Sequence, residues 1–180
     1  MLVRFMGLGN ADAVPDRATH VEWLAVPGKK RGKAAASLGS WPIAAAIDAT
    51  RAYRALLEAQ LREPWDAVVL DSYATGWALD RCVAYRNEWR AQQPVLVHVS
   101  HNHEELLWGV MAREARGSAL KRLALRRNAI KVGALERRIV RNIDLLTTIT
   151  GEDLLSLGAG LDQNRSLALT PGYAGWIASA

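Results

Sequence analysis

The stretch Pro94-Val95-Leu96-Val97-His98-Val99-Ser100-His101-Asn102-His103-Glu104 joins an apolar, β-type run directly to imidazole, amide and carboxylate groups. In open α/β sheets, ligands bind just beyond the carboxyl ends of the strands, so chemistry is expected at this junction. An imidazole titrates near neutral pH, which suits His101 to act as a general base or to orient a substrate. The alternative is that His101 and Asn102 only cap the following helix and hydrogen-bond nearby loops. A second run, Ile143-Asp144-Leu145-Leu146-Thr147-Thr148-Ile149-Thr150, ends in Gly151-Glu152-Asp153 and delivers further polar groups to the same edge.

His98, His101, His103 and Glu104 are residue types that ligate zinc. Strand alternation opposes such a set, because His101 and His103 share one face while His98 points the other way. Only His20 remains elsewhere, and no cysteine completes the group, so no metal site is expected. Three nucleotide or nucleophile signatures are also missing. No Gly-x-Gly-x-x-Gly follows a strand, no phosphate loop ends in Gly-Lys-Ser/Thr, and no Gly-x-Ser-x-Gly elbow is present. Dinucleotide oxidoreductases, P-loop nucleotidases and α/β-hydrolases are thereby disfavoured. A small α/β enzyme using His101 directly is disfavoured as well, since no nucleophile–base pair is visible. Cys82 sits in the helical pattern Leu79-Asp80-Arg81-Cys82-Val83 and reads as a small buried hydrophobe.

The elements that must position these groups follow from periodicity and turn residues. Leu2 to Met6 and His20 to Val26 read as strands, closed by Gly7-Leu8-Gly9-Asn10 and Pro27-Gly28. Residues 28–39 read as a flexible basic loop with Lys29, Lys30, Arg31 and Lys33. Ser40 is the expected cap of a helix that runs to about Glu63, where Pro64 stops it. Trp65-Asp66-Ala67-Val68-Val69-Leu70-Asp71 is a continuous apolar strand of the kind covered on both faces. A helix from about Trp77 to Gln92 follows, and Pro94 opens the strand leading to His101. Beyond Glu104 the chain reads as helical to about Asn142, broken near Gly117 and weakened at Gly133. A strand over 143–150, a short helix after Gly151 and a strand at Ser166 to Thr170 complete the alternation. Strands alternating with helices specify α/β architecture, a Rossmann-like parallel sheet with helices on both faces.

The chain has 180 residues, half of them apolar, which suits one domain with a sizeable core. A single cysteine excludes an internal disulfide and makes a reducing cytoplasm the default. No apolar run of about 18 residues is long enough to span a membrane, and the N-terminus has no secretory pattern. The net charge of +5 is unevenly spread: ten Lys/Arg between Arg113 and Arg141 face only Glu114 and Glu136, so this segment carries +8. Such a segment is either a solvated helix face or a surface for an anionic partner, an anionic membrane included. Arg126, Arg127, Lys131, Arg137 and Arg138 are its candidate anion-facing residues. Nucleic acid is disfavoured, because no aromatic residue lies between Trp108 and Tyr173 to stack on bases.

The order of these motifs resembles the N-terminal, acceptor-side domain of a GT-B glycosyltransferase of the family 4 (group 1) type. Asp66-Ala67-Val68-Val69-Leu70-Asp71 is similar to the family's mid-domain strand, and Pro94 through Glu104 to the strand ending in a cleft histidine. Glu136, eight residues before Asp144, and the run to Asp153 resemble its pattern of glutamate, helix, aspartate and a strand ending in Ser or Thr. Thr170-Pro171-Gly172-Tyr173-Ala174-Gly175 looks like the passage towards a second domain.

The resemblance implies that residues 1–175 form the acceptor-side domain and that residues 176–180 begin a linker. His101 then matches the histidine that positions sugar or acceptor. Asn102 and Glu104 beside it, with Asp71, Thr150 and Glu152 at neighbouring strand ends, line the acceptor pocket. The family transfers sugar from a nucleotide donor to lipid-linked or polysaccharide acceptors, usually without a metal or other cofactor, often at the inner membrane surface. Neither the family's opening strand–glycine loop–helix unit nor its donor-binding domain is found in this sequence. Activity is therefore expected only with a second domain, since transfer needs both halves of the cleft to hold the reacting groups. A sheet lacking one strand also leads to an expectation of self-association, or of pairing with a complementary domain. The alternative is a non-catalytic module that docks on a membrane or partner through the basic 113–141 helix.

Overall fold

Six short apolar runs form six parallel strands in the computed structural model, which describes residues 2–9, 20–26 and 32–169. Strands β1 (Val3–Leu8) and β2 (Val21–Val26) pair with each other. Strands β3 (Ala67–Asp71), β4 (Val95–Ser100), β5 (Leu145–Thr148) and β6 (Ser166–Ala168) form a second sheet in chain order. Between them lie α1 (Lys33–Ser37), α2 (Ile43–Asp48), α3 (Arg51–Gln60), α4 (Leu79–Glu88), α5 (Glu104–Glu114), α6 (Ala119–Asn142) and α7 (Gly151–Leu157). The expected mixed α/β, Rossmann-like arrangement of parallel strands flanked by helices is what the chain adopts. Lys29, Lys30, Arg31 and the passage Thr170 to Gly175 lie outside the described residues.

The core forms where α4 and α6 meet β4 and β5. Leu79, Tyr85, Leu96, Ile139, Ile143 and Leu146 are fully buried there. The Tyr85 hydroxyl donates to the Glu63 carbonyl at 3.0 Å and accepts the Trp65 N–H at 2.6 Å, fixing the turn at Pro64. Gly76 lets α6 approach a 3₁₀ turn over Tyr73–Ala78, for a Cβ there would stand 2.9 Å from a methyl of Ile139. The Tyr53 hydroxyl, from α3, donates to the Met6 carbonyl at 2.7 Å and ties the two-stranded sheet to the helices.

Four sequence expectations are corrected. The helix expected over residues 40–63 is two helices, because Thr50 adopts an extended backbone and its hydroxyl accepts the Tyr53 N–H at 3.1 Å, starting α3 anew. Pro42, not Ser40, occupies the cap position of α2. Part of the expected loop is helical, at α1. The β3 strand is covered on one side only: it stands at the sheet's margin, and Ala67, Val69 and Asp71 are exposed while Leu70 is buried.

Helix α6 runs unbroken through Gly133, although glycine costs roughly 1 kcal/mol in a helix relative to alanine. The reason is local: the Glu105 side chain crosses the helix at that point, and a Cβ on Gly133 would lie 2.1 Å from its Cδ. The break near Gly117 is present, with α5 ending at Glu114 and the Ser118 hydroxyl capping α6. Among the described residues no helix is long and apolar enough to cross a membrane.

Candidate functional site

Parallel neighbours in a sheet end at the same level, and this brings the key polar residues together. Asp71 closes β3 and is in register with Val99; two residues beyond Val99, the chain leaves β4 at His101. The His101 Nε2 and Asp71 Oδ1 lie 2.6 Å apart, with both side chains open to solvent. A carboxylate oxygen accepts hydrogen bonds, so Nε2–H is the donor of this contact, and Nδ1 faces away from the acid. Geometrically this is an acid–imidazole pair at the carboxyl edge of a parallel sheet.

The backbone next to the pair is strained. Ser72 has φ 67° and ψ 154°, a region that a residue with a Cβ rarely enters. It is held there by its N–H, which donates to the Val99 carbonyl at 2.9 Å, and by the Thr75 hydroxyl, which donates to its carbonyl at 2.8 Å. Residues so held cluster at functional sites, at a cost of order 1–3 kcal/mol. Nothing in the local sequence marks a serine for this conformation.

Two strand exits are built alike. The Ser100 hydroxyl donates to the Asn102 carbonyl at 2.8 Å, and the Thr148 hydroxyl donates to the Thr150 carbonyl at 2.8 Å. Ser100 and Thr148 are register partners in β4 and β5, so the two exits sit side by side. Asn102 is exposed in the first of them. In the second, the Thr150 hydroxyl is engaged in capping α7: it accepts the Asp153 N–H at 3.1 Å and donates to the Asp153 carboxylate at 2.7 Å. Glu152 is exposed in the first turn of that helix.

The loop carrying His101 is anchored from two directions. From α6, the Glu136 carboxylate accepts the N–H groups of Glu104 and Glu105 through its two oxygens, each at 2.9 Å. A helix N-terminus presents unpaired N–H groups and a partial positive charge, so a carboxylate placed there fixes the start of α5. From α7, Asp153 accepts the His103 N–H at 3.1 Å, and the His103 ring Nδ1 lies 2.8 Å from the Ser156 hydroxyl. Burial pushes the Glu136 carboxyl up to about 7, against the opposing pull of the two N–H donors. The family resemblance drew attention to Glu136; its role as a clamp on residues 104 and 105 has no local signal.

His98 occupies the opposite face, as strand alternation requires. It is buried, its Nδ1–H donates to the Leu70 carbonyl at 2.8 Å, and burial lowers its pKa to about 4. It is a neutral structural histidine. Cys82 is likewise inert, its thiol pushed up to about 12 by burial. The four-residue zinc set weighed from sequence does not converge. A different trio, His103, Glu105 and Glu136, has ligand atoms within 4.8 Å of one another. Both Glu136 oxygens accept N–H groups, Glu105 pairs with Arg137 at 2.5 Å, and Nδ1 of His103 meets the Ser156 hydroxyl.

The five basic positions have different fates. Arg126 and Arg127 are exposed on α6. Lys131 donates to the carbonyls of Ser37 and Gly39 and pins α1 to α6. Arg137 pairs with Glu105, and Arg138 pairs with Asp80.

Compared with known proteins, the chain matches no family model, no curated protein and no solved structure.

Proposed function

We propose that this chain is the acceptor-side domain of a GT-B glycosyltransferase of the family 4 (group 1) type. The supporting observation is the Asp71–His101 pair at the carboxyl edge of the parallel sheet, on a loop anchored by Glu136 and Asp153. Asp71 orients the imidazole, and His101 uses its free nitrogen to hold or deprotonate a sugar hydroxyl. Asn102 and Glu152, exposed at adjacent strand exits, supply further polar groups to an acceptor, with Glu104 at the start of α5. A nucleotide-sugar donor is held by a second domain, so that the reacting groups meet only when both halves close on them.

The test is a titration followed by NMR, using simple alkyl glycosides against the labelled chain. Amide shifts concentrated at Asp71, His101, Asn102 and Glu152, and reduced by His101→Ala, are expected. Calorimetry with UDP- and GDP-sugars is expected to show little binding to this domain alone. Glycosides that perturb only regions remote from this edge, or tight donor binding by this domain, would overturn the reading.

A further inference from the structure

The amino edge of the sheet, at the far end of β4 from His101, holds a cavity of about 280 Å³. It is lined by Arg86 and Asn87 from the last turn of α4, by Arg90 and Gln93 just beyond that helix, and by Asp144 at the start of β5. Pro94, which is buried, and the exposed Val95 give it an apolar floor.

Both oxygens of Asp144, the one acid on this wall, take donors of the protein itself. Oδ1 accepts from the Arg86 guanidinium and Oδ2 from the Leu96 N–H, each at 2.8 Å. Arg86 also donates to the Asn142 carbonyl at 3.1 Å, which holds its guanidinium against the start of β5. The side chains of Asn87, Arg90 and Gln93 form no hydrogen bond or ion pair among the described residues. Gln93 has φ 51°, a left-handed backbone that residues with a Cβ seldom adopt. Its N–H donates to the Arg90 carbonyl at 3.3 Å, closing a turn that carries both residues onto the cavity wall.

Donors therefore outnumber acceptors. A guanidinium offers five N–H groups and each carboxamide two. The charges of Arg86 and Asp144 cancel as a pair, so the Arg90 cation is left over. A complementary ligand brings negative charge and several acceptor oxygens. A phosphate group does both, and its oxygens match the guanidinium fork. A carboxylate has two oxygens and would leave some of these donors unmatched. The volume lies just below the roughly 300–1,000 Å³ of sites for drug-sized molecules, which suits a phosphate on a small organic group.

We propose that this cavity binds a phosphate group, free or esterified to a small polyol. Arg90 grips the phosphate, Asn87 and Gln93 donate to it, and the carbons of an ester rest on Pro94 and Val95. The inference stands apart from the sugar-transfer reading, since the two sites lie at opposite ends of β4 and share no residue.

NMR titration of the labelled whole chain at constant ionic strength tests it, with inorganic phosphate and glycerol 3-phosphate as probes and glycerol and sodium chloride as controls. Saturable amide shifts at Asn87, Arg90, Gln93 and Val95 are expected with both phosphates and with neither control. Arg90→Gln should weaken binding about tenfold or more, the loss of a charge-assisted hydrogen bond. Asn87→Ala should weaken it several-fold at unchanged charge, and Arg126→Gln with Arg127→Gln should leave it unchanged. All of these residues are exposed, and circular dichroism should show each variant folded. Tighter binding of glycerol 3-phosphate would support a phosphate ester as occupant, and equal binding would support phosphate alone. Shifts reproduced by chloride, or phosphate binding that survives Arg90→Gln intact, would overturn the proposal.

Discussion

Residues 120–130 of α6 leave Leu120, Leu123 and Ile130 exposed, whereas residues 132–140 bury Val132, Leu135, Glu136, Ile139 and Val140. Both halves are rich in arginine and aliphatic residues, yet the second supplies nearly all of the helix's buried side chains, the first only Asn128, whose Oδ1 accepts the Ile43 N–H at 2.9 Å. The second half packs on the 3₁₀ turn and the sheet, engages both of its adjacent arginines in ion pairs, and clamps the start of α5. The first half leaves its apolar stripe exposed; Arg122 donates to the Gly117 carbonyl, and Lys121, Arg126 and Arg127 form no ion pair among the described residues. Composition alone therefore does not divide this helix; its neighbours do.

The largest expected contrast is between two isoleucines. Ile139→Ala should destabilise by about 2–5 kcal/mol through lost burial and a residual cavity. Ile130→Ala should remain within about 0.5 kcal/mol, as exposed substitutions do. Urea unfolding measures both, and equal losses would erase the distinction between the halves.

Next in size is pH dependence. The native Glu136 carboxyl, with its pKa raised to about 7, retains a proton that the unfolded chain releases near 4.5. Its contribution is favourable below pH 4.5 and is lost as pH rises towards 7, by roughly 2–3 kcal/mol. His98 has the opposite sense: the unfolded imidazole binds a proton below about 6.5 that the native one refuses until about 4. Its stabilising contribution is lost as pH falls through that window. The two slopes offset each other between pH 4.5 and 6.5. Melting temperatures of Glu136→Gln should therefore rise with pH across this interval, and those of His98→Asn should fall. Parallel profiles for the two variants would refute the assignment.

A smaller effect is expected at the contact between the second half of α6 and the 3₁₀ turn. Gly76→Ala places a methyl 2.9 Å from Ile139 Cδ1 and 3.0 Å from both Leu135 methyl groups, and should cost about 1–3 kcal/mol in urea unfolding. Smallest are the exposed ion pairs: Arg137→Gln or Arg138→Gln should each shift stability by less than about 1 kcal/mol, with the urea midpoint as readout.

The sequence made the strand–helix alternation legible because apolar runs and their Gly or Pro boundaries are local signals. It also indicated the level at which His101 and Asp71 emerge, since a strand's end is visible in its last apolar residue. Their pairing depended on which strands are neighbours, and that is set by sheet order rather than by either segment. The same holds for β3: its apolar run reads as doubly covered, and only its marginal place explains why Val69 is exposed. At Thr50, helical spacing on both sides concealed a capping residue that starts a new helix. The clamping role of Glu136 escaped for a different reason. Its partners are main-chain groups more than thirty positions away, and main-chain groups leave no imprint on composition.

Ser72 is a chiral residue locked in a conformation that glycine alone enters without a clash, and its amide is tethered to the neighbouring strand. The main chain that carries Asp71 inherits a fixed course from that lock. Moving the end of β3 away from the exit of β4 would first require releasing the tether, so the acid is delivered beside the imidazole from a rigid footing, with only its own side-chain torsions left to turn.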